Sequence, residues 1–252
     1  MKQTKRFKLI ACEVLTREVF WCAARSPHTI DVEFTPKGAH ESGDLLRDTI
    51  REILRKTEES DTAYDAVLLG YGLCGNGTSG LSSSRFPLVI PRAHDCCTLF
   101  LGSRLRFREL FEDNPSRPFS STGYTERGDT YLHASTTGTA LGLDKTFEEY
   151  AAEYGEENAR YIMESIQGGE KSASEELYYI DIPETSLPEM RELCLKQAGE
   201  EGYRVTEWTG NIRLIRSLLF GEWKEDEFLI VPPGEQIRPL YDWDLIIESA
   251  GE

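Results

Sequence analysis

Four side chains stand out for the chemistry they could share: Cys12, Cys74, His94 and Cys96. Cysteine sulfur and imidazole nitrogen are soft and borderline donors, suited to zinc or to an iron–sulfur cluster. Their spacing is not a metal motif: the chain has no Cys-x-x-Cys, and His94-x-Cys96 is too short to be diagnostic. What joins them is position. Cys12 closes the apolar run FKLIAC (7–12), Cys74 follows DAVLLG (65–70), and His94 and Cys96 follow PLVIP (87–91). If these runs are strands of one open parallel sheet, their ends share an edge, and ligands bind at such edges. Three readings stay open: a metal or cluster on the four residues, a metal-free thiol site, or small apolar residues buried at strand ends.

The neighbours sharpen the first two readings. Cys96 and Cys97 fall in the first turn of an expected helix, where the helix dipole favours a thiolate. Cys97 points about 100° away from Cys96 and reads as core. Cys22 and Cys194 sit within expected helices and read as packing. Glu13 directly follows Cys12, and it is a candidate proton carrier or a helix-start acid. Asp95 is a candidate orienter of His94 or, more simply, the cap of the helix behind it. The loop YGLCGNG (71–77) has glycines that permit close backbone approach. Its Gly75, Asn76 and Gly77, with Arg92 nearby, are candidate cofactor or anion contacts. The loop matches neither a Walker A motif nor a dinucleotide fingerprint. His28, His40 and His133 fall in loops.

The elements that would position these residues alternate. Strands are expected at 7–12, 30–35, 65–70 and 87–91, with helices at 13–25, 44–59 and 96–111. That order predicts a mostly parallel sheet flanked by helices, an α/β fold. Residues 113–145 are rich in Ser, Thr, Gly and Pro and read as an irregular lid or linker. Beyond them the grammar resumes: a helix at 146–166, a turn at 168–175, strands at 177–182, 203–208 and 228–234, and helices at 188–199 and 210–219. The expected organisation is an N-terminal α/β lobe (1–112) carrying the Cys/His site, the 113–145 segment, and a C-terminal α/β lobe (146–252), with a cleft between the lobes.

The 252 residues carry a net charge of −16. Residues 1–111 hold 16 Lys and Arg against 14 Asp and Glu, and residues 112–252 hold 12 against 30. An excess of that sign repels phosphate backbones and argues against nucleic-acid binding. No apolar run approaches the length of a membrane span. The basic start MKQTKRFKLIACEVL is interrupted by Glu13 and is too short in its apolar part for a signal peptide. A cytoplasmic location is therefore expected, in which six cysteines serve metal or thiol chemistry in preference to disulfides.

The runs ACEVL (11–15), YDAVLLGYGLCGNGTSGL (64–81), PLVIPRAHDCCTLFLGSRLRF (87–107), LIRSLLFGEW (214–223) and FLIVPPG (228–234) closely resemble the DUF1638 family of bacteria and archaea. Cys12, Glu13, Cys74, Gly75, Asn76, Gly77, His94, Asp95 and Cys96 occupy its motif positions. Cys97 departs from the family pattern, in which an apolar residue follows His-Asp-Cys. Members are often encoded beside corrinoid-dependent methyltransferases, so the resemblance implies a role near one-carbon metabolism.

Two functions follow. In the first, the chain is an enzyme acting on a small molecule. Zinc or an iron–sulfur cluster sits on Cys12, Cys74, His94 and Cys96, and Glu13 and His94 are the catalytic side chains. In the second, it is a non-catalytic accessory or cofactor-binding protein whose partner is a corrinoid protein or methyltransferase, docked on the acidic second half.

Overall fold

The computed structural model describes residues 3–113, 117–128, 176–240 and 242–251. The helix and turn expected at 146–166 and 168–175 lie outside the described residues, as does the greater part of the 113–145 segment.

The first sheet is built as expected. Strands β1 (Arg6–Cys12), β2 (Thr29–Thr35), β3 (Ala66–Gly70) and β4 (Leu88–Pro91) pair in parallel in the order β2-β1-β3-β4. Every residue of β3 and β4 is buried, the signature of a parallel sheet covered on both faces. Helix α1 (Thr16–Ala23) follows a 3-10 turn at Glu13–Leu15, and α2 (Gly43–Glu59) is capped by the Ser42 hydroxyl, which accepts from Leu45 N–H. Leu46, Ile50, Ile53 and Leu54 form the buried stripe of α2.

The helix expected over 96–111 is two helices, α3 (Cys96–Leu101) and α4 (Arg104–Phe111). Gly102 separates them at φ +69°, and a Cβ there would lie 2.4 Å from the Asn211 carbonyl oxygen. Glycine is thus required both by conformation and by space. The Ser103 hydroxyl then caps α4.

A second parallel sheet comprises β5 (Phe119–Ser121), β6 (Glu176–Asp181) and β7 (Arg204–Thr209). Helix α5 (Thr122–Glu126) follows β5, α6 (Pro188–Glu200) joins β6 to β7, and α7 (Arg213–Leu219) follows β7. The described start of the 113–145 segment is therefore regular, not the irregular connection expected. Strand β8 (Phe228–Val231) then returns to the first sheet and pairs antiparallel with β4. The sheet is thus mixed, with one antiparallel edge strand whose Ile230 is exposed. A hairpin of β9 (Gln236–Pro239) and β10 (Ile247–Ala250) follows. The sequence reading stopped at β8; these two short strands carry few apolar residues and one proline, and so give little strand signal. One hydrophobic cluster runs from Phe7 and Leu9 through Phe100 and Tyr124 to Ile180 and Ile247, so both sheets and the hairpin share a core. No helix among the described residues is long and apolar enough to cross a membrane.

Candidate functional site

In the order β2-β1-β3-β4, the chain leaves β1 for a neighbour on one side and later enters β3 on the other. The crevice beyond the C-terminal ends of β1 and β3 is the topological switch point, the place where open α/β sheets bind ligands. Cys12 ends β1 there, and Cys74 lies in the loop that leaves β3.

That loop is stitched to the one leaving β4. Leu73 N–H donates to the Ala93 carbonyl and Cys74 N–H to the His94 carbonyl, both at 2.8 Å. Gly72 allows this approach, since a Cβ there would stand 2.6 Å from the Ala93 oxygen. Cys74, Gly75 and Asn76 then run consecutively in the left-handed region, at φ +48°, +61° and +63°. Left-handed backbone is costly for the two non-glycine residues, and such strain clusters at functional sites. The Asn76 carbonyl accepts from Arg47 at 2.8 Å, while its side-chain oxygen is buried without a partner. Gly77 packs against Leu46 of α2.

Cys96 opens α3, which Asp95 caps by accepting from Thr98 N–H. The Cys96 sulfur shares a buried hydrogen bond of 2.8 Å with the Tyr124 hydroxyl from α5. That helix lies hard against the turn after β1: a Cβ on Gly123 would fall 1.8 Å from the Val14 carbonyl oxygen. The Tyr71 ring, fully buried just past β3, pairs its hydroxyl with Thr35 Oγ1 at 2.6 Å.

Cys12, Cys74, Cys96, Tyr71 and Tyr124 are all buried and close enough to oppose one another's ionisation. Burial pushes the Cys12 thiol up to about 11, with Glu13 adding to the rise and Val14 N–H, Lys37 and Arg127 opposing it. Burial, then the Asp95 carboxylate, raises Cys74 and Cys96 well above an ordinary thiol. Asp95 is itself lifted to about 6 by burial. The cluster is thus a set of acids held neutral, and ionising several of them needs an added positive charge.

His94, Glu13 and Arg92, the remaining expected site residues, engage other partners. His94 gives its backbone carbonyl to Cys74, but its ring lies among aromatics, 5.4 Å from Phe107 and 4.8 Å from Trp243 between centroids. Burial lowers its pKa to about 4, and the charges it senses are Asp242 and Arg104, not the thiols. Glu13 accepts from Lys37 N–H at 2.7 Å and pairs with Arg127 at 3.3 Å. Arg92 spends its guanidinium on the carbonyls of Glu225, Leu245 and Ile247, fastening the C-terminal hairpin. Cys97, Cys22 and Cys194 are core residues, as expected.

Tyr71 and Tyr124 were not among the expected site residues. Tyr71 was legible, since it directly follows β3. Tyr124 was not, because only the pairing of α5 with the turn after β1 brings it to Cys96.

The three cysteines are soft donors and fit zinc or an iron–sulfur cluster in kind. In spacing, no group of three His, Cys, Asp or Glu among the described residues stands ready to hold a metal. A metal could be held there only if the sulfurs were drawn together. Residues 34–219 match the model of a family described as a protein of unknown function, DUF1638. The match takes in Cys74, Cys96 and Tyr124 and begins after Cys12. No curated protein and no solved structure matches the chain.

Proposed function

We propose that this chain, which belongs to the DUF1638 family, holds a soft metal ion or cluster on Cys12, Cys74 and Cys96 and uses it on a small molecule of one-carbon metabolism. The observation that carries this reading is the burial of three thiols that follow three neighbouring parallel strands, on the switch-point side of the sheet and near enough to oppose one another's ionisation. A bound zinc ion or iron–sulfur cluster would supply Lewis acidity at a position left open by three protein ligands. The chain's own residues do the rest. The Cys74 loop, tied to His94 by backbone bonds, presents one sulfur. Tyr71 and Tyr124 are buried beside the sulfurs, and the Tyr124 hydroxyl bonds the sulfur of Cys96. Asp95, lifted to about 6, is the group beside the sulfurs that gains or loses a proton nearest neutral pH. Both the metal and the substrate class are our reading; the substrate class comes from the family resemblance.

The test is anaerobic purification followed by elemental analysis and an absorption spectrum. A broad band at roughly 400 nm marks an iron–sulfur cluster, and stoichiometric zinc without colour marks the other choice. Cys12→Ser, Cys74→Ser and Cys96→Ser should each abolish stoichiometric metal, while Cys22→Ser and Cys194→Ser should retain it. Protein that carries no metal and takes up neither zinc nor iron would sink the proposal.

A further inference from the structure

We propose that the chain forms a symmetric dimer through the outer edge of β2, to which a second copy adds its own β2 in antiparallel register. The inference stands apart from the metal reading above.

Strand β2 ends the first sheet, and among the described residues no strand pairs with its outer side. A free edge offers a row of N–H and C=O groups to another chain, and proteins blunt such edges with lysine, proline, bulges or short strands. Strand β2 is seven residues long, TIDVEFT, with neither lysine nor proline. It pairs with β1 without a bulge, from Arg6 opposite Thr29 to Cys12 opposite Thr35.

The backbone fixes which groups point outward. Thr29 N–H donates to the Lys5 carbonyl at 2.9 Å, toward β1. Successive strand residues turn their N–H and C=O to opposite sides, so Ile30, Val32 and Phe34 face the open edge. A two-fold axis beside Val32 sets Val32 against its own copy and Ile30 against the partner's Phe34. That antiparallel register uses all three outward residues, each pair exchanging two N–H···O bonds.

The side chains match in the same register. Ile30, Val32 and Phe34 share a face with Phe7, Leu9 and Ala11 and are partly exposed. Phe20 of α1 meets Phe34 edge-on at 5.6 Å and is itself 55% exposed. Pairing sets apolar residues opposite apolar residues on this face, an arrangement that stabilises antiparallel strands. On the other face Asp31 meets the partner's Glu33, and like charges so placed oppose pairing. Each acid brings its own counter-ion: Arg6 bonds Asp31 at 2.7 Å, and Lys8 pairs with Glu33. Charge also favours a second copy at this place. The acidity lies in residues 112–252, whereas residues 1–111, which hold β2, carry 16 basic against 14 acidic side chains. Two copies can meet here with the acidic half outside the contact.

The experiment is analytical ultracentrifugation of the full chain across the micromolar range, in wild type, Val32→Pro and Val32→Cys. Wild type should sediment as a dimer. Proline removes the outward N–H of Val32 and spares the bonds to β1, the strand position where proline is tolerated. Two bonds at the axis are lost, one from each copy, so association should weaken about tenfold or more. Val32→Cys sets a thiol opposite its copy, with Cα atoms about 5.5 Å apart, within disulfide range. The six native cysteines are buried. Exchange with a small disulfide, which leaves as two small thiols, should then yield a covalent dimer. Thr29→Cys, opposite the partner's Thr35, should yield none. Wild type that stays monomeric throughout overturns the inference. So does a dimer that Val32→Pro leaves at wild-type affinity. If Val32→Pro does not fold, Val32→Cys decides: no covalent dimer, or one formed equally by Thr29→Cys, overturns the inference.

Discussion

Gly123→Ala tests whether the two sheets meet at the thiols as closely as described. The added methyl would sit 1.8 Å from the Val14 carbonyl oxygen, and real Cβ atoms essentially never come within 3.0 Å of such an atom. Helix α5 and the turn after β1 would have to part by 3.0 − 1.8 Å, about 1.2 Å. Both sides of the contact are backbone, so no side chain can swing away to absorb the change. Overpacking of this kind costs about 1–3 kcal/mol, and the rigid partners place this case near the top of that range. For a chain of this size, 3 kcal/mol lowers the melting temperature by roughly 6–12 °C. Gly199→Ala is the matched control: it lies in α6, where a Cβ meets nothing within 4 Å. There alanine should gain up to about 1 kcal/mol from better helix propensity. Thermal unfolding followed by circular dichroism reads both. A Gly123→Ala protein that melts with wild type would refute the close approach, and with it the placement of Tyr124 against Cys96.

Three further outcomes follow from the same structure. Zinc added to metal-free protein at neutral pH should release about three protons per ion, since all three thiols are held neutral beforehand; a pH-stat reading near zero would show that the thiols are already ionised or not used. Glu18 is buried with one oxygen bonded to Thr185 and the other without a partner, and burial raises its pKa. The native state therefore holds this proton more tightly than the unfolded chain, and stability falls as pH climbs from the ordinary glutamate value through the raised one. Glu18→Gln should remove that fall and melt higher than wild type at pH 8; an unchanged pH profile of melting would count against it. Arg92→Met should lower stability by about 3 kcal/mol through loss of a buried charged network and loosen the C-terminal hairpin, yet leave metal content intact. Loss of metal in a folded Arg92→Met protein would restore Arg92 as a site residue.

Much of the first sheet was legible because each strand writes itself as a short apolar run with turn residues on either side. The apolar residues of FKLIAC, DAVLLG and PLVIP that lie in these strands are buried, and a parallel sheet covered by helices leaves little alternating pattern to confuse the reading. The failures share a cause. The 96–111 stretch has helical composition on both sides of Gly102, where a left-handed glycine and the Ser103 cap end one helix and start the next, and the Asn211 carbonyl, more than a hundred residues away, leaves no room for a side chain. Strand β8 reads as buried, but its direction is set by its partner β4, and nothing in FLIV records direction. Strands β9 and β10 draw much of their support from each other and from the Arg92 clamp, so their own residues signal little.

The site divides along the same line. Cys12, Cys74 and Cys96 could be placed along one edge because strand order turns three distant positions into one, and strand ends can be read locally. His94 shares that edge in sequence, yet its side chain follows Phe107 and Trp243 into an aromatic pocket, where burial disfavours the charged imidazolium. Position along the chain fixes where a Cα lies; which way the side chain turns is settled by which neighbour offers the better contact. For Cys96 that neighbour is Tyr124, which arrives on a helix whose place is set by tertiary packing alone. The helix that follows β5 of the second sheet brings Tyr124 to a cysteine of the first, and burial of the sulfurs favours their neutral form. The same burial that raises the thiol pKa values is what would strengthen their hold on a cation once one enters. Thiols held neutral in this way attack poorly as they stand, and a cation entering among them would have to displace their protons, which is why metal content is the first measurement to make.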